Sequence, residues 1–453
     1  MMKWIKQSLF SMTKLRLYSV LLSLMILMIG LISYGVYRGG LSSLWGDGQS
    51  TISSTDSSAP ESISISFWTP FSGGDISFMN ELVQRYNREN TDHIVVTMKN
   101  NKSDDYYTKL STAIVTEEAP DVAIVHASMF AQYIPAGFIQ NIDKFAAKAQ
   151  VHFTDFNPSI LARTMVNEQH YAIPLDTHFS ILYYNKKWLA KAGLYQDGKV
   201  QMQPGEQGFV DFLQKLQQHI PQDVAPLAVP NVRIDSLWLW WSLYAQIDGG
   251  GQLYTSDGTR ASVNMPAAKK SLELVTSLYD QQLIPPNIND ASNEFAQGKA
   301  ALLFLGVWSI GSFEKVPDLD FGVMPFPQIY DHAGSWGDAH TLAFPTHHEQ
   351  DPQKVLAAIK FANWLARNGA IWGEAGHVPA VQAEALSPAY LSLPFRKEYV
   401  AEANHVEYFP SHPKQIMMSD ALINELEKIW YGKQSVDQML NHLEPLINQI
   451  LKE

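Results

Sequence analysis

Not one of the 453 residues is cysteine. Disulfide scaffolds, thiol nucleophiles, cysteine-ligated zinc and a lipid-modified cysteine are excluded together, and folding has to rest on core burial. Positive charge is also scarce. Lys and Arg number 33 against 45 Asp and Glu, a formal net charge of −12, the opposite of the basic footprint that a nucleic-acid or polyphosphate partner needs. A neutral small ligand suits this balance better, and no nucleic-acid partner is expected. Catalytic signatures are missing too. Gly306-Val307-Trp308-Ser309-Ile310-Gly311 lacks nucleophile-elbow spacing, Gly298-Lys299-Ala300 lacks the hydroxyl of a phosphate loop, and no acidic pair can be given a glycosidase role. No internal repeat is visible. The expectation is a binder with no catalytic residue and no cofactor.

What is present begins with an uncharged run, Leu17 to Tyr37, whose helical length of roughly 31 Å can cross a hydrocarbon core of about 30 Å. Lys3, Lys6, Lys14 and Arg16 precede it and only Arg38 follows closely, which orients the remaining chain outward. Residues 1–38 are therefore expected to be a cytoplasmic tip and transmembrane anchor, with a cleaved signal peptide as the alternative. Residues 39–61, rich in Ser, Gly and Thr, read as a flexible linker. The folded part starts near Ser62. Single cores stop growing at roughly 250 to 300 residues, so two lobes are expected after the anchor.

Ser62 to Thr69 alternates like a strand, Ile76 to Tyr86 has helical spacing, and His93 to Met98 is β-rich again; helix and strand continue to alternate through Val122 to Val125. This βαβ alternation predicts an α/β fold. In such sheets ligands sit beyond the carboxyl ends of the strands, where Trp68, Phe71, Ser72, His126 and Ser128 fall. Trp68 reads equally as a packed core aromatic.

The stretch Tyr171 to Leu194 reads as a strand, a cap at Asn185, a helix, and a stop at Gly193. At the strand's beginning Asp176 and His178 are two apart and share a face. The pattern recurs at Asp338 and His340, again before an apolar run ending in proline. If the two strands lie side by side, two carboxylates and two imidazoles converge in a cleft between lobes. Three tryptophans in four residues, Trp238, Trp240 and Trp241, cannot all face one core, so at least one should line a surface or cleft. Trp308 follows a strand stopped by Gly306 and is expected to present its indole at the mouth of a lobe.

Taken in order, FWTPFSGGD with ELVQRYNREN, APDVAIVHASMFAQYIPAGFIQNID, YAIPLDTHFSILYYNKKWLAKAGL, FAQGKAALLFLGVWSIG, DFGVMPFP and GHVPA resemble the extracellular solute-binding proteins of ABC sugar importers, the class that includes maltose-binding protein. The resemblance implies a two-lobed periplasmic-binding-protein-like fold with hinge crossings near Pro174, Asp338 and His377. It divides the chain into a first lobe of 62–173 with 339–376 and a second of 174–338 with 377–453. It implies an extracellular carbohydrate-binding protein that delivers its ligand to ABC transporter permease subunits; the uncharged N-terminal run adds the expectation that it is held at the cell membrane. The ligand-contacting set is then Trp68, Ser72, His126, Asp176, His178, Trp241, Trp308, Trp336, Asp338, His340 and His377. Where the family has a Pro-x-Thr-Trp helix entry this chain has Gln203-Pro204-Gly205-Glu206-Gln207-Gly208, so no role is carried over there. Two alternatives stay open: a membrane-tethered sugar sensor, and a metal-binding protein using the Asp-x-His pairs, whose ligand types suit zinc or manganese.

Overall fold

The computed structural model describes residues 62–453, apart from 72–73, 102, 231–233 and 287. Two sheets organise them. The first has the order β2 (Ile94–Asn100), β1 (Ile63–Thr69), β3 (Val122–His126), β10 (His340–Ala343), β4 (Ala172–Pro174). Its β1 runs parallel to β2 and β3, while β10 is antiparallel to both β3 and β4. The second is built around β5 (Asp176–Asn185), with β6 (Ala225–Ala228), β7 (Ala300–Gly306), β8 (Phe321–Pro325), β9 (Ser335–Asp338), β11 (Val378–Pro379) and β12 (Val406–Glu407).

All ten residues of β5 are buried, as in a central strand covered on each side, although its first half carries the polar Asp176, Thr177, His178 and Ser180. Asn185 caps the short helix Lys186–Lys191, its side chain accepting from Trp188 N–H at 3.4 Å. Gly298, at φ +72°, turns the chain into β7. In the first lobe α1 (Asp75–Glu89) buries Phe78, Met79, Leu82, Val83 and Tyr86, the spacing of one helical face. A longer helix, α4 (Pro352–Arg367), returns from downstream and sets Phe361 edge-on to Phe67 of β1 at 5.3 Å. The second lobe packs α2 (Asp235–Ala245) against α3 (Met265–Asp280), α5 (Gln415–Trp430) and α6 (Val436–Lys452) in one large core. Ten residues of α2 are buried, so it is an internal helix without a solvated stripe.

Between the sheets the chain crosses three times. The first crossing joins β4 to β5 through Leu175, and the second joins β9 to β10 through Ala339. In the third, the chain leaves α4, turns through Gly373–Ala375 and enters β11 against β5. Leu175 ties them together, its N–H donating to His340 O at 2.9 Å and its carbonyl accepting from Ala380 N–H at 3.1 Å. The α/β, two-lobed fold with hinge crossings is therefore observed.

The transmembrane part of the expectation is corrected. No helix among the described residues is long and apolar enough to cross a membrane. The longest, α6, has 17 residues against the ~20 a span needs, and it carries Asp437, Glu444 and Lys452. Leu17 to Tyr37 lies outside the described residues, and an anchor through it is retained neither as a membrane partner nor as the basis of localisation.

Candidate functional site

The crossings assemble the site by register. On β9 against β5, Asp338 stands opposite His178. On β10 against β3, His340 stands opposite His126. On β11 against β5, Pro379 stands opposite Asp176, which brings in His377 just before the strand. Two Asp-x-His pairs and two further imidazoles thus meet where both sheets end.

Asp176 is the hub and is wholly buried. One carboxylate oxygen accepts from His178 Nδ1 at 3.1 Å and from His340 N–H at 3.1 Å. The other accepts from His340 Nδ1 at 2.9 Å and from the Trp372 indole at 2.6 Å. Four donors occupy its lone-pair sites, so it takes a further ligand only in exchange for one of these bonds. Burial would raise this carboxyl, but His340, His377 and the histidine hydrogen bonds hold it well below the usual range. His340 is the converse: burial lowers it, and the Asp176 carboxylate outweighs burial and raises it. His178 is pushed down to about 4 by burial and by His340. With Nδ1 donating to Asp176, its neutral ring keeps a lone pair on Nε2. Burial, then His340 and His178, hold His126 well below its ordinary value.

Asp338 has a separate set of partners. Its carboxylate accepts from Ser128 Oγ at 2.6 Å and from Ala339 N–H at 2.8 Å. His126 hydrogen-bonds through Nδ1 to the Tyr107 hydroxyl, which also accepts from His126 N–H at 2.9 Å.

Above the histidines lies an aromatic tier. The Trp308 ring is 5.6 Å from His178 and 5.7 Å from Trp238, edge-on to both. Trp336 lies flat on Trp238 at 3.7 Å with 10° between planes. Trp238 and Trp308 are half-buried, and the Trp238 indole N–H has no hydrogen-bond partner. Gly306 makes this possible: a Cβ there would lie 1.9 Å from the Trp308 ring. Just after β12, Tyr408 carries Arg163 stacked on its ring at 3.6 Å, and its hydroxyl is 3.4 Å from Thr177 Oγ1.

The structure therefore brings together His126, Asp176, His178, Trp308, Trp336, Asp338, His340 and His377. Trp241 lies apart: it is 1% exposed, donates to Glu407 O at 3.0 Å and packs on Phe409. Its neighbour Trp240 is equally internal, donating to Ser271 Oγ at 3.0 Å. The cleft-facing member of the three is Trp238. Ser242, one turn on and itself buried, bonds Trp238 O through its hydroxyl and accepts from Trp336 N–H, tying the two stacked indoles together. Trp68 is half-buried under Lys99, which sits 4.6 Å over its ring. Ser72 lies outside the described residues. Arg163, Tyr408 and Trp372 join the site without any local sequence signal.

Two lobes joined by three crossings, with an aromatic tier and polar side chains at their seam, make a device for enclosing a small molecule. Known proteins agree with this architecture. The sequence aligns with a binding protein of Brucella abortus (strain 2308) at 22% identity over 368 residues, 76% of this chain and 83% of that one. The fold is similar to the ABC substrate-binding protein of Listeria monocytogenes in complex with cycloalternan, with TM-score 0.75, 20% identity, and coverage of 86% of this chain and 100% of that one. It is similar also to UgpB of Mycobacterium tuberculosis in complex with glycerophosphocholine, with TM-score 0.75, 20% identity, and coverage of 86% and 99%. Residues 72–371 match the family described as bacterial extracellular solute-binding protein, and on that match the chain belongs to this family of binding proteins, which carry a solute and do not transform it.

Proposed function

We propose that the protein captures a neutral mono- or oligosaccharide between its lobes and delivers it to an ABC permease. The lobes are taken as 62–173 with 339–376 and 174–338 with 377–453. The observation that carries the reading is the tier of half-buried Trp238 and Trp308 on buried Trp336, set against His126, Ser128 and Asp338. Sugars offer polarised C–H faces that stack on indole, and hydroxyls that need polar partners once water leaves. Both kinds of surface meet here. His178, Trp308, Trp336 and Asp338 are the proposed contacts from the expected set, with Trp238 and Tyr408 added, while Asp176 acts by holding the crossings in place. The relatives bound to cycloalternan and to glycerophosphocholine represent a neutral and a zwitterionic ligand class. The net charge of −12 and the three indoles favour the neutral one.

Titration calorimetry against mono-, di- and cyclic oligosaccharides, with glycerophosphocholine in the same panel, tests this. Saturable binding of a sugar that weakens by at least ~2 kcal/mol in Trp308→Ala, with the melting transition kept, is the expected result. Binding of glycerophosphocholine alone would leave a solute-binding protein and remove the carbohydrate.

A further inference from the structure

Three buried polar atoms at the meeting point of the crossings have no hydrogen-bond partner: Nδ1 and Nε2 of His377, and Oδ1 of Asp75. His377 is 0% exposed, so neither ring nitrogen can turn to bulk water, and such orphans call for an explanation. The imidazole is nonetheless firmly placed. It stacks on Trp372 at 4.5 Å with 5° between planes. The turn before it is pinned from outside: Tyr399 donates to Gly376 O at 2.6 Å, and Arg396 donates to Gly373 O at 3.0 Å and Glu374 O at 2.7 Å. Gly376 itself is at φ +123°, where a Cβ would meet Val307 O at 1.8 Å, so only glycine fits. Each nitrogen lies near a carboxylate, Nδ1 at 3.5 Å from Asp176 Oδ2 and Nε2 at 3.7 Å from Asp75 Oδ2, without a hydrogen bond to either, and a side chain held this rigidly is pre-organised for something.

We propose that Asp176, His178, His340 and His377 form a binding site for one divalent cation of the zinc class, beneath the sugar-contacting surface and sharing only His178 with it. Each residue offers one ligand atom, and the four atoms lie within 4.8 Å of one another. A tetrahedral zinc with bonds of about 2.0–2.1 Å to nitrogen has edges of about 3.4 Å, so binding draws the side chains in by about an ångström and exchanges one of the four hydrogen bonds of Asp176 for the ion. Three imidazoles and a carboxylate are a donor set for zinc or its transition-metal neighbours rather than for magnesium or calcium. Outer support is already in place: Asp75 Oδ2 is 3.7 Å from His377 Nε2, and the Trp372 indole holds Asp176. The two carboxylates, Asp176 and Asp75, balance the charge of a dication. Asp338, which the sequence groups with the potential ligands, is not in the set; Ser128 and Ala339 take its oxygens. The ligands come from all three crossings, so the ion ties the hinge together and has a structural role.

The test uses untagged protein, stripped with a chelator and titrated with Zn²⁺ alone, without any sugar, so its outcome is independent of the ligand reading. The expected result is one Zn²⁺ per chain by elemental analysis, a rise in melting temperature with added metal, and at least tenfold weaker binding in His377→Ala. Asp75→Asn should weaken binding about tenfold, while His442→Ala, a histidine of α6, leaves it unchanged. Co²⁺ loaded into the wild-type protein should show the visible absorption of a tetrahedral site, a readout that needs no variant to fold. Absence of stoichiometric Zn²⁺ binding, or binding that His377→Ala leaves intact, overturns the proposal.

Discussion

The indole of Trp372 donates to the carboxylate of Asp176 at 2.6 Å, joining two residues 196 positions apart. Trp372 belongs to the segment that leaves the first lobe and Asp176 opens the central strand of the second, so one hydrogen bond clamps two crossings. Trp372→Phe keeps an aromatic ring beside His377 but removes this donor together with part of a buried indole that also packs on Phe71. A bond to a charged acceptor is worth about 1.5–3 kcal/mol, and the variant should lose stability of that order in denaturant unfolding. No loss would mean that the remaining three donors suffice.

Gly306→Ala should act on binding through Trp308. The added Cβ falls within the volume of the indole, so the ring must move, at a packing cost of roughly 1–3 kcal/mol. Ligand affinity should fall together with a shift in tryptophan emission. A shifted emission with unchanged affinity would show that the indole position is irrelevant to the ligand.

Ser128→Ala removes the hydroxyl that donates to Asp338 at 2.6 Å. This bond spans the turn after β3 and the end of β9, one from each sheet. The expected outcome is a loss of about 1.5–3 kcal/mol in unfolding free energy and weaker sugar binding by calorimetry. Weaker binding at unchanged stability would place Ser128 on the ligand and not on the hinge.

Acid stability should depend on Glu425, far from the seam. Its side chain is 9% exposed. Burial would raise its carboxyl, but hydrogen bonds from Lys428, Gln434 and His442 hold it below the ordinary value. A carboxyl lowered in the folded state stabilises above its unfolded pKa of about 4.3 and loses that contribution as pH falls through the folded value. Glu425→Gln should therefore be less stable than wild type at neutral pH, with the gap narrowing on acidification below about pH 4. Unfolding free energies measured across pH check the sign; a gap that widens in acid refutes it.

Local pattern carried much of the fold. The apolar run of β5, its Asn185 cap, the Gly298 turn and the Asp-x-His spacing are all written within a few residues, because each depends on periodicity or on one backbone requirement. Ala225–Ala228 gives no strand signal, since four apolar residues carry no period. Val378–Pro379, a loop by its local sequence, is a strand only by pairing with β5. The site was half legible for the same reason. Two Asp-x-His pairs are visible in the chain, but His126 beside His340 follows from the register of β10 on β3. The stack of Arg163 on Tyr408 and the bond from Trp372 to Asp176 join segments that no local rule relates. Choosing Trp238 over Trp241 required knowing which side of α2 faces the core.

The place of β10 in the first sheet has a consequence for synthesis. It lies between β3 and β4, and Thr341 bonds Val125, 216 positions earlier. Until the ribosome has delivered that strand, β3 and β4 each present an unpaired edge and the first lobe cannot close. Contacts so distant in sequence are slow to form. A nascent chain of this topology stays open for most of its translation, with unpaired edges exposed until β10 arrives.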